Sequence, residues 1–310
     1  MTGDPAVQTT VVLPVWDDYV AGRLTEAVAS LTGDNDPARI VVVDNASEAE
    51  LPELPRAVVV RSPRRLSLGG ARNLGLAQVS TPYVVVWDAD DVMLPGALAF
   101  LEAAISADPR LVAFGTAIIE EPSGARHRWP RPWVATLVRA PALFALLDCV
   151  WSLYPTTGAT IMRTETVRAA GGYADAESAE DWALGVSLAF RGRVGWSERP
   201  GRIYRVHPES VWSRHMSARH LVRHAAAIRR RIRSDAGIAG WARAALPAIG
   251  LAQHAAILGH VGVAALRRRT SRRARRGTLR RARRGTSRRA GRGTSRRARR
   301  GTSRRARRRD

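Results

Sequence analysis

Four short runs of apolar residues, none interrupted by a polar side chain, stand in the N-terminal part of the chain: Val11-Val12-Leu13, Ile40-Val41-Val42-Val43, Val58-Val59-Val60 and Val84-Val85-Val86-Trp87. A strand with one wet face alternates apolar and polar residues, whereas a strand covered on both faces reads as a continuous apolar run. Helical spacing appears between or after some of these runs. Val20, Leu24, Val28 and Leu31 fall on one helix face, as do Leu98, Leu101 and Ile105. Strand–helix–strand order with short links specifies an α/β domain, a Rossmann-like, mostly parallel sheet flanked by helices. At 310 residues the chain is long enough to bury a sizeable core.

The rhythm loosens after residue 110. From Leu111 to Ser213 there is Pro-Trp punctuation at Trp129, Pro130, Pro132 and Trp133, a strand candidate at Ala159–Met162, and a helix candidate opening near Glu180. From Met216 to Leu266 the composition turns to Ala, Arg, His and Leu, which reads as helical, with Pro247 as a break or kink. Residues 244–266 have the length of a membrane span, but Gln253, His254, His260 and Pro247 favour a helix packed on the folded domain. Segments are therefore expected at 1–110, 111–215, 216–266 and 267–310. The last is a repeat in which Gly277, Gly285, Gly293 and Gly301 recur at a fixed interval. With almost no apolar content it cannot offset its chain entropy, so it is expected to be disordered.

The net charge of +23 is unevenly placed. Every basic residue is an arginine, and 23 of the 50 lie between Arg267 and Arg309 against one acid, Asp310. The first 266 residues hold 27 arginines and 26 acids, a nearly neutral globule with a basic tail. The tail suits an anionic membrane surface or the phosphates of a nucleic acid. It has no aromatic residue to stack on bases, which argues against sequence reading. The single cysteine, Cys149, excludes an intrachain disulfide, and Met1–Thr10 lacks the order of a secretion signal. A cytoplasmic location is expected, or one peripheral to the inner face of the membrane.

In an open parallel sheet, ligands bind outside the carboxyl ends of the strands. Three of the four strand candidates run into acids there: Asp17 and Asp18, Asp44, and Asp88, Asp90 and Asp91. Clustered carboxylates on a tight turn repel one another unless a cation sits between them, and hard oxygen donors suit Mg²⁺ or Mn²⁺. Gly69-Gly70-Ala71-Arg72-Asn73-Leu74-Gly75 reads either as a phosphate-approaching loop carrying Arg72 or as a helix start packed tightly on the sheet. Glu180-Asp181-Trp182 opens a helix, where acids favour the dipole and where one of them can serve as a general base. His207 is a candidate ligand for metal or phosphate.

Six segments taken together resemble the motifs of the family 2 glycosyltransferases of GT-A fold, in that family's order: Val11–Trp16, Val42–Ser47, Gly70–Asn73, Asp88–Asp91, Glu180–Trp182 and Tyr204–His207. The resemblance covers about Thr10 to Arg214. It implies an inverting, metal-dependent transferase that moves a sugar from a nucleotide-diphosphate donor to a hydroxyl acceptor (a glycan, a lipid-linked or a small molecule), in cell-envelope or polysaccharide synthesis. On this basis residues 1–110 form the donor half and 111–215 the acceptor half. Pro14, Trp16 and Asp44 would hold the nucleobase, Arg72 the base and phosphates, and Asp88 the ribose and metal. Asp90, Asp91 and His207 would complete the metal site, and Asp181 would be the base. Glu180, Trp182 and Trp151 would face the acceptor. Trp16-Asp17 stands where the family usually shows Tyr-Asn, and the Gln-x-x-Arg-Trp motif of processive members is missing, which points to single transfers.

A competing reading makes the globule a platform for nucleic acid or membrane, working through the tail. The ligand edge of the sheet argues against it, since a phosphate-binding platform concentrates cations there and this edge concentrates acids. A nucleotidyltransferase would share the metal site but leave Glu180-Asp181-Trp182 unexplained.

Overall fold

The computed structural model describes residues 8–20, 23–121, 126–127, 132–205 and 217–263. The strands are β1 (Thr9–Val15), β2 (Arg39–Asp44), β3 (Ala57–Arg61), β4 (Tyr83–Val86), β5 (Val92–Met93), β6 (Leu111–Glu121), β7 (Arg126–His127), β8 (Thr160–Arg163) and β9 (Arg193–Arg205). They form one mixed sheet in the order β3-β2-β1-β4-β8-β6-β9-β5, with the short β7 paired to β6. β3, β2, β1 and β4 run parallel, as their continuous apolar runs require. β8 is antiparallel to both β4 and β6, β9 is parallel to β6, and β5 is antiparallel to β9.

The core divides by strand parity. Val12, Val41, Val43, Val84 and Val86 face one side of the sheet, and Val11, Leu13, Ile40, Val42 and Val85 face the other. β3 departs from the expectation. Its Val58 and Val59 are 41% and 46% exposed, because β3 is the edge of the sheet and lacks a second neighbour. Pro14 sits where its missing N–H does no harm. The Val12 carbonyl accepts from the Trp87 N–H, so position 14 also faces β4, which has already ended.

The helices are α1 (Asp17–Val20), α2 (Arg23–Leu31), α3 (Leu68–Leu76), α4 (Ala97–Ala107), α5 (Pro132–Leu137), α6 (Pro141–Val150), α7 (Thr164–Ala169), α8 (Glu180–Ala189), α9 (Ala218–Ser234), α10 (Gly240–Ala244) and α11 (Leu246–Val263). After its first residues α8 is apolar almost all round, the pattern of a helix buried on every side. Leu184 and Leu188 join the core under the sheet, while Trp182, Ala183 and Val186 pack with Ile228, Ile232 and Ile238. The helix break falls at Ala245, ahead of Pro247, which occupies the first turn of α11 where its ring and missing N–H are tolerated.

The segments on either side of residue 110 share one sheet, since β6 and β9 join β1–β4 in it. Residues up to Ala256 form one compact unit. A second begins at Ile257, and its described part, residues 257–263, is helical. The first half of α11 packs as the sequence favoured: Gln253 donates to the Cys149 carbonyl at 2.8 Å and accepts from Arg229. By length and composition alone, α11 is also apolar enough to cross a membrane. His207, Trp129 and the arginine repeat lie outside the described residues.

Candidate active site

The acidic turn begins where β4 ends. The Asp91 N–H donates to the Asp88 carbonyl at 3.2 Å, and the Trp87 indole donates to the Asp91 carbonyl at 3.2 Å, which closes the turn. Three further elements deliver arginines and acids to it. α3 starts at Ser67, whose hydroxyl accepts from the Gly70 N–H at 3.0 Å as an N-cap. Gly69 lies against the Ala174 backbone with no room for a β-carbon, so the glycines serve close packing while α3 carries Arg72 into the site. Of the two readings of the glycine-rich segment, the structure bears out the tightly packed helix start.

Arg72 is 4% exposed. One guanidinium nitrogen is bonded to Glu180, the other to Asp88 at 3.1 Å, and the group lies 5.3 Å from the Tyr173 ring. Burial works against its charge, but Glu180 and Asp88 outweigh burial and hold the guanidinium more firmly protonated than usual. Arg202, on β9 opposite Met93, donates to the second Asp88 oxygen at 2.7 Å and is ion-paired with Asp91. Its guanidinium lies over Trp87 and Tyr204, at 5.7 and 5.2 Å. Gly158, at a φ of 73°, leaves the space that Arg202 fills, and a β-carbon there would meet the guanidinium. Arg205 donates its backbone N–H to Asp91 at 3.0 Å and its side chain to Glu121 at 2.9 Å.

Glu180 and Asp181 open α8 after Ala179, which has a φ of 62°. A left-handed alanine costs roughly 1–2 kcal/mol, so the surrounding structure holds this helix start against strain. Burial pushes both carboxyls upward. Arg72 opposes the shift in each, and the charge of Asp181 raises Glu180 further. Asp181 is partly exposed and also feels the charge of Asp88. Its Oδ1 accepts from the Trp182 N–H at 2.7 Å. Behind it, Asp148 is fully buried, with Oδ1 on the Leu153 N–H at 2.8 Å and Oδ2 without a hydrogen-bond partner. Burial pushes the Asp148 carboxyl up to about 8.

A family model described as "Glycosyl transferase family 2" matches residues 10–167. The chain belongs to glycosyl transferase family 2. It is therefore a glycosyltransferase. A comparison with curated proteins found no match. Among solved structures, the chain is similar to S. aureus TarS at 16% identity and a TM-score of 0.56, over 80% of this chain and 43% of that one. Crystal structures of TarS residues 1–349 match with UDP (18% identity, TM-score 0.54, 74% of this chain and 66% of that one) and with UDP-GlcNAc (15%, 0.55, 74% and 67%). At these identities the likeness shows the fold, and the chain spans less than half the length of full TarS.

In this family 2 fold, Arg72, Asp88, Asp90, Asp91, Glu180 and Asp181 come together at the carboxyl end of β4. Pro14 and Asp44 end the neighbouring strands, and Trp16 follows β1 with the Arg65 guanidinium 4.6 Å from its ring. Asp44 is buried with both oxygens engaged, by the Ser47 N–H at 2.9 Å and by Arg61 at 2.6 Å. It thus shapes the loop after β2. Asp91 is also spent internally, on Arg202 and Arg205, and anchors the turn.

Two acceptor expectations are corrected. Glu180 is turned inward onto Arg72, and Trp182 is buried with its indole N–H on the Asp148 carbonyl at 2.5 Å. Both are held by the interior and cannot face an acceptor. Trp151 is half-buried and packs against the core cluster under the sheet. Sequence reasoning missed Arg202 and Asp148. Nothing marks one arginine among 50, and Asp148 reads as a stray acid on an apolar helix, a pattern that can signal a buried polar role.

For a hard dication the donor chemistry fits, because Asp88 and Asp90 offer oxygen only and Asp88 is 28% exposed. Four acids (Asp88, Asp91, Glu180 and Asp181) lie around two guanidiniums, Arg72 and Arg202, and a third guanidinium, Arg205, reaches the Asp90 carbonyl at 3.4 Å. Among the described residues no three acidic, histidine or cysteine side chains form a ready metal cage, since the Asp88 oxygens are held by arginines.

Proposed function

We propose that this glycosyltransferase moves a sugar from a nucleotide-diphosphate donor to an acceptor hydroxyl in one displacement with inversion. The observation that carries the reading is the partly exposed Asp181, raised by burial and set beside Asp88 across Arg72. A base must be ionised at working pH yet still want a proton, and a raised carboxylate meets both needs. Asp181 takes the acceptor proton as the hydroxyl oxygen bonds to the anomeric carbon. The bond from that carbon to the phosphate oxygen breaks, and the nucleoside diphosphate leaves with the electron pair. Arg72 and Arg202 are the cations nearest that departing charge.

Mg²⁺ or Mn²⁺ would be held by Asp88 and Asp90, and when bound would neutralise charge on the diphosphate. Support for a nucleotide donor comes from the two matched TarS structures, whose ligands are UDP and UDP-GlcNAc. Trp16, with Pro14 and the loop held by Asp44, would take the nucleobase. Family membership is compatible with polysaccharide or cell-envelope synthesis, with a glycan, lipid-linked or small-molecule hydroxyl as acceptor.

The test is a panel of nucleotide sugars offered with a mixed hydroxyl-acceptor library, reading nucleoside diphosphate release and the anomeric configuration of the product. Inversion with one preferred donor is expected. A product that retains configuration would sink the single displacement.

A further inference from the structure

Helix α11 has two unlike faces. Ile249 and Gln253 are buried, and Gln253 is bonded on both sides. On the opposite side Leu251, Ala255, Leu258 and Gly262 are exposed, Leu251 at 75% and Leu258 at 73%. Their spacing places them within about 60° of one another on a helix, flanked by the exposed Ala248, Ala252 and Gly259. The nearby His254 folds back on its own helix, 2.6 Å from the Gly250 carbonyl. Two leucines on a continuous apolar stripe are an unusual surface for water. The sequence that follows carries 23 arginines and one acid from Arg267 onward.

We infer that α11 is an in-plane membrane anchor, lying in the interface of an anionic bilayer with Leu251 and Leu258 among the acyl chains and the arginines on the headgroups. Two features of the chain favour lipid over nucleic acid. A phosphodiester backbone gives an apolar stripe nothing to bury against, whereas a bilayer offers hydrocarbon and anionic headgroups side by side. One such signal gives only marginal attachment, and the pairing of an apolar face with a polybasic segment gives a stable one. The bonded Gln253 holds the other face on the protein, which distinguishes lying on the membrane from spanning it. The inference does not depend on which sugar is transferred.

The test uses the full chain with vesicles of phosphatidylglycerol and phosphatidylcholine, vesicles of phosphatidylcholine alone, and RNA at equal phosphate. The wild type should prefer the anionic vesicles and keep part of its binding at about 1 M salt, where the Debye length is about 3 Å. Leu251→Asp with Leu258→Asp should lose that salt-resistant part, with partition at least about tenfold weaker, and keep its melting temperature and sugar transfer. A chain cut after Leu266 should lose the preference for anionic lipid. Unchanged salt-resistant partition of the double variant would overturn the proposal, as would RNA displacing the protein from vesicles. Retention through an alkaline carbonate wash would also overturn it, by showing a spanning helix.

Discussion

Arg72 and Glu180 are bonded to each other in the interior, each about 4% exposed at the side chain. Through this contact α3 is tied to the first turn of α8, and the second Arg72 nitrogen ties both to Asp88. Asp181, the residue after Glu180, inherits its position from the bond.

Removing one partner of a buried pair leaves an uncompensated charge. Arg72→Met should therefore destabilise the fold by about 3–5 kcal/mol, and Arg72→Met with Glu180→Met should recover much of the loss. Thermal melts of the three proteins check this. Equal melting of the single and double variants would show that Glu180 takes up a proton once Arg72 is gone.

Asp181→Asn keeps the shape and removes the basicity. Transfer should fall roughly 10²–10⁴-fold while donor affinity is kept, measured by product formation and by calorimetric titration of the donor. In the wild type the raised carboxyl of Asp181 must lose its proton to work. The rate should therefore rise with pH through an inflection above the ordinary carboxylate range, and that acid limb should vanish in the variant.

Metal dependence is checked by turnover with and without a chelator, with Mn²⁺ or Mg²⁺ restored. Chelation should abolish transfer, and Asp90→Asn should weaken the metal response by tenfold or more, on the order of one lost charged ligand. Full turnover in excess chelator would leave Arg72 and Arg202 as the cations that serve the diphosphate.

Asp148 should make the fold pH-dependent. Its carboxyl stands at about 8 in the folded chain against an ordinary value of 3.8, so the folded state holds a proton that the unfolded state releases. Stability from this group is fully present below pH 3.8 and is lost as pH rises through about 8. Asp148→Asn should melt higher than the wild type at pH 8, by on the order of a few kcal/mol in stability, and show little difference at pH 4. Parallel pH–melting curves for the two proteins would be the contrary result.

Much of the sheet could be read from Val11–Leu13, Ile40–Val43 and Val84–Trp87, because a strand covered on both faces has little choice of residue. β9 could not. Arg193–Arg205 alternates in no simple way, since the register with β6 shifts near Ala117 and Pro200 and the bulge absorbs the proline. Asp88, Asp90 and Asp91 were visible because they follow an apolar run, and Glu180 and Asp181 because they open a helix. Of the two arginines on Asp88, Arg72 could be read from the glycine-rich segment, whereas Arg202 was hidden because it comes from a strand more than a hundred residues further along the chain. Trp182 beside Asp181 looked like part of a binding surface, and only the buried faces of α8 reveal it as core.

The strand order has a consequence for how the chain is made. β5 follows the acidic turn directly, but among the described residues its one partner in the sheet is β9, whose Ile203 pairs with Val92. At ribosomal rates of about 5–20 residues per second, the turn waits roughly 5–20 s for Arg202 to be synthesised. During that interval Asp88 and Asp91 lack one of their arginines, and the edge of β6 that β9 will occupy stands open. A nascent chain stalled after the family-matched segment, which ends at residue 167, would hold β1–β8 and none of Glu180, Asp181, Arg202 or Arg205. Truncated products would thus lack half of the candidate site and leave the β6 edge open to edge-to-edge association, so the candidate site and a closed sheet arrive in the same step of synthesis.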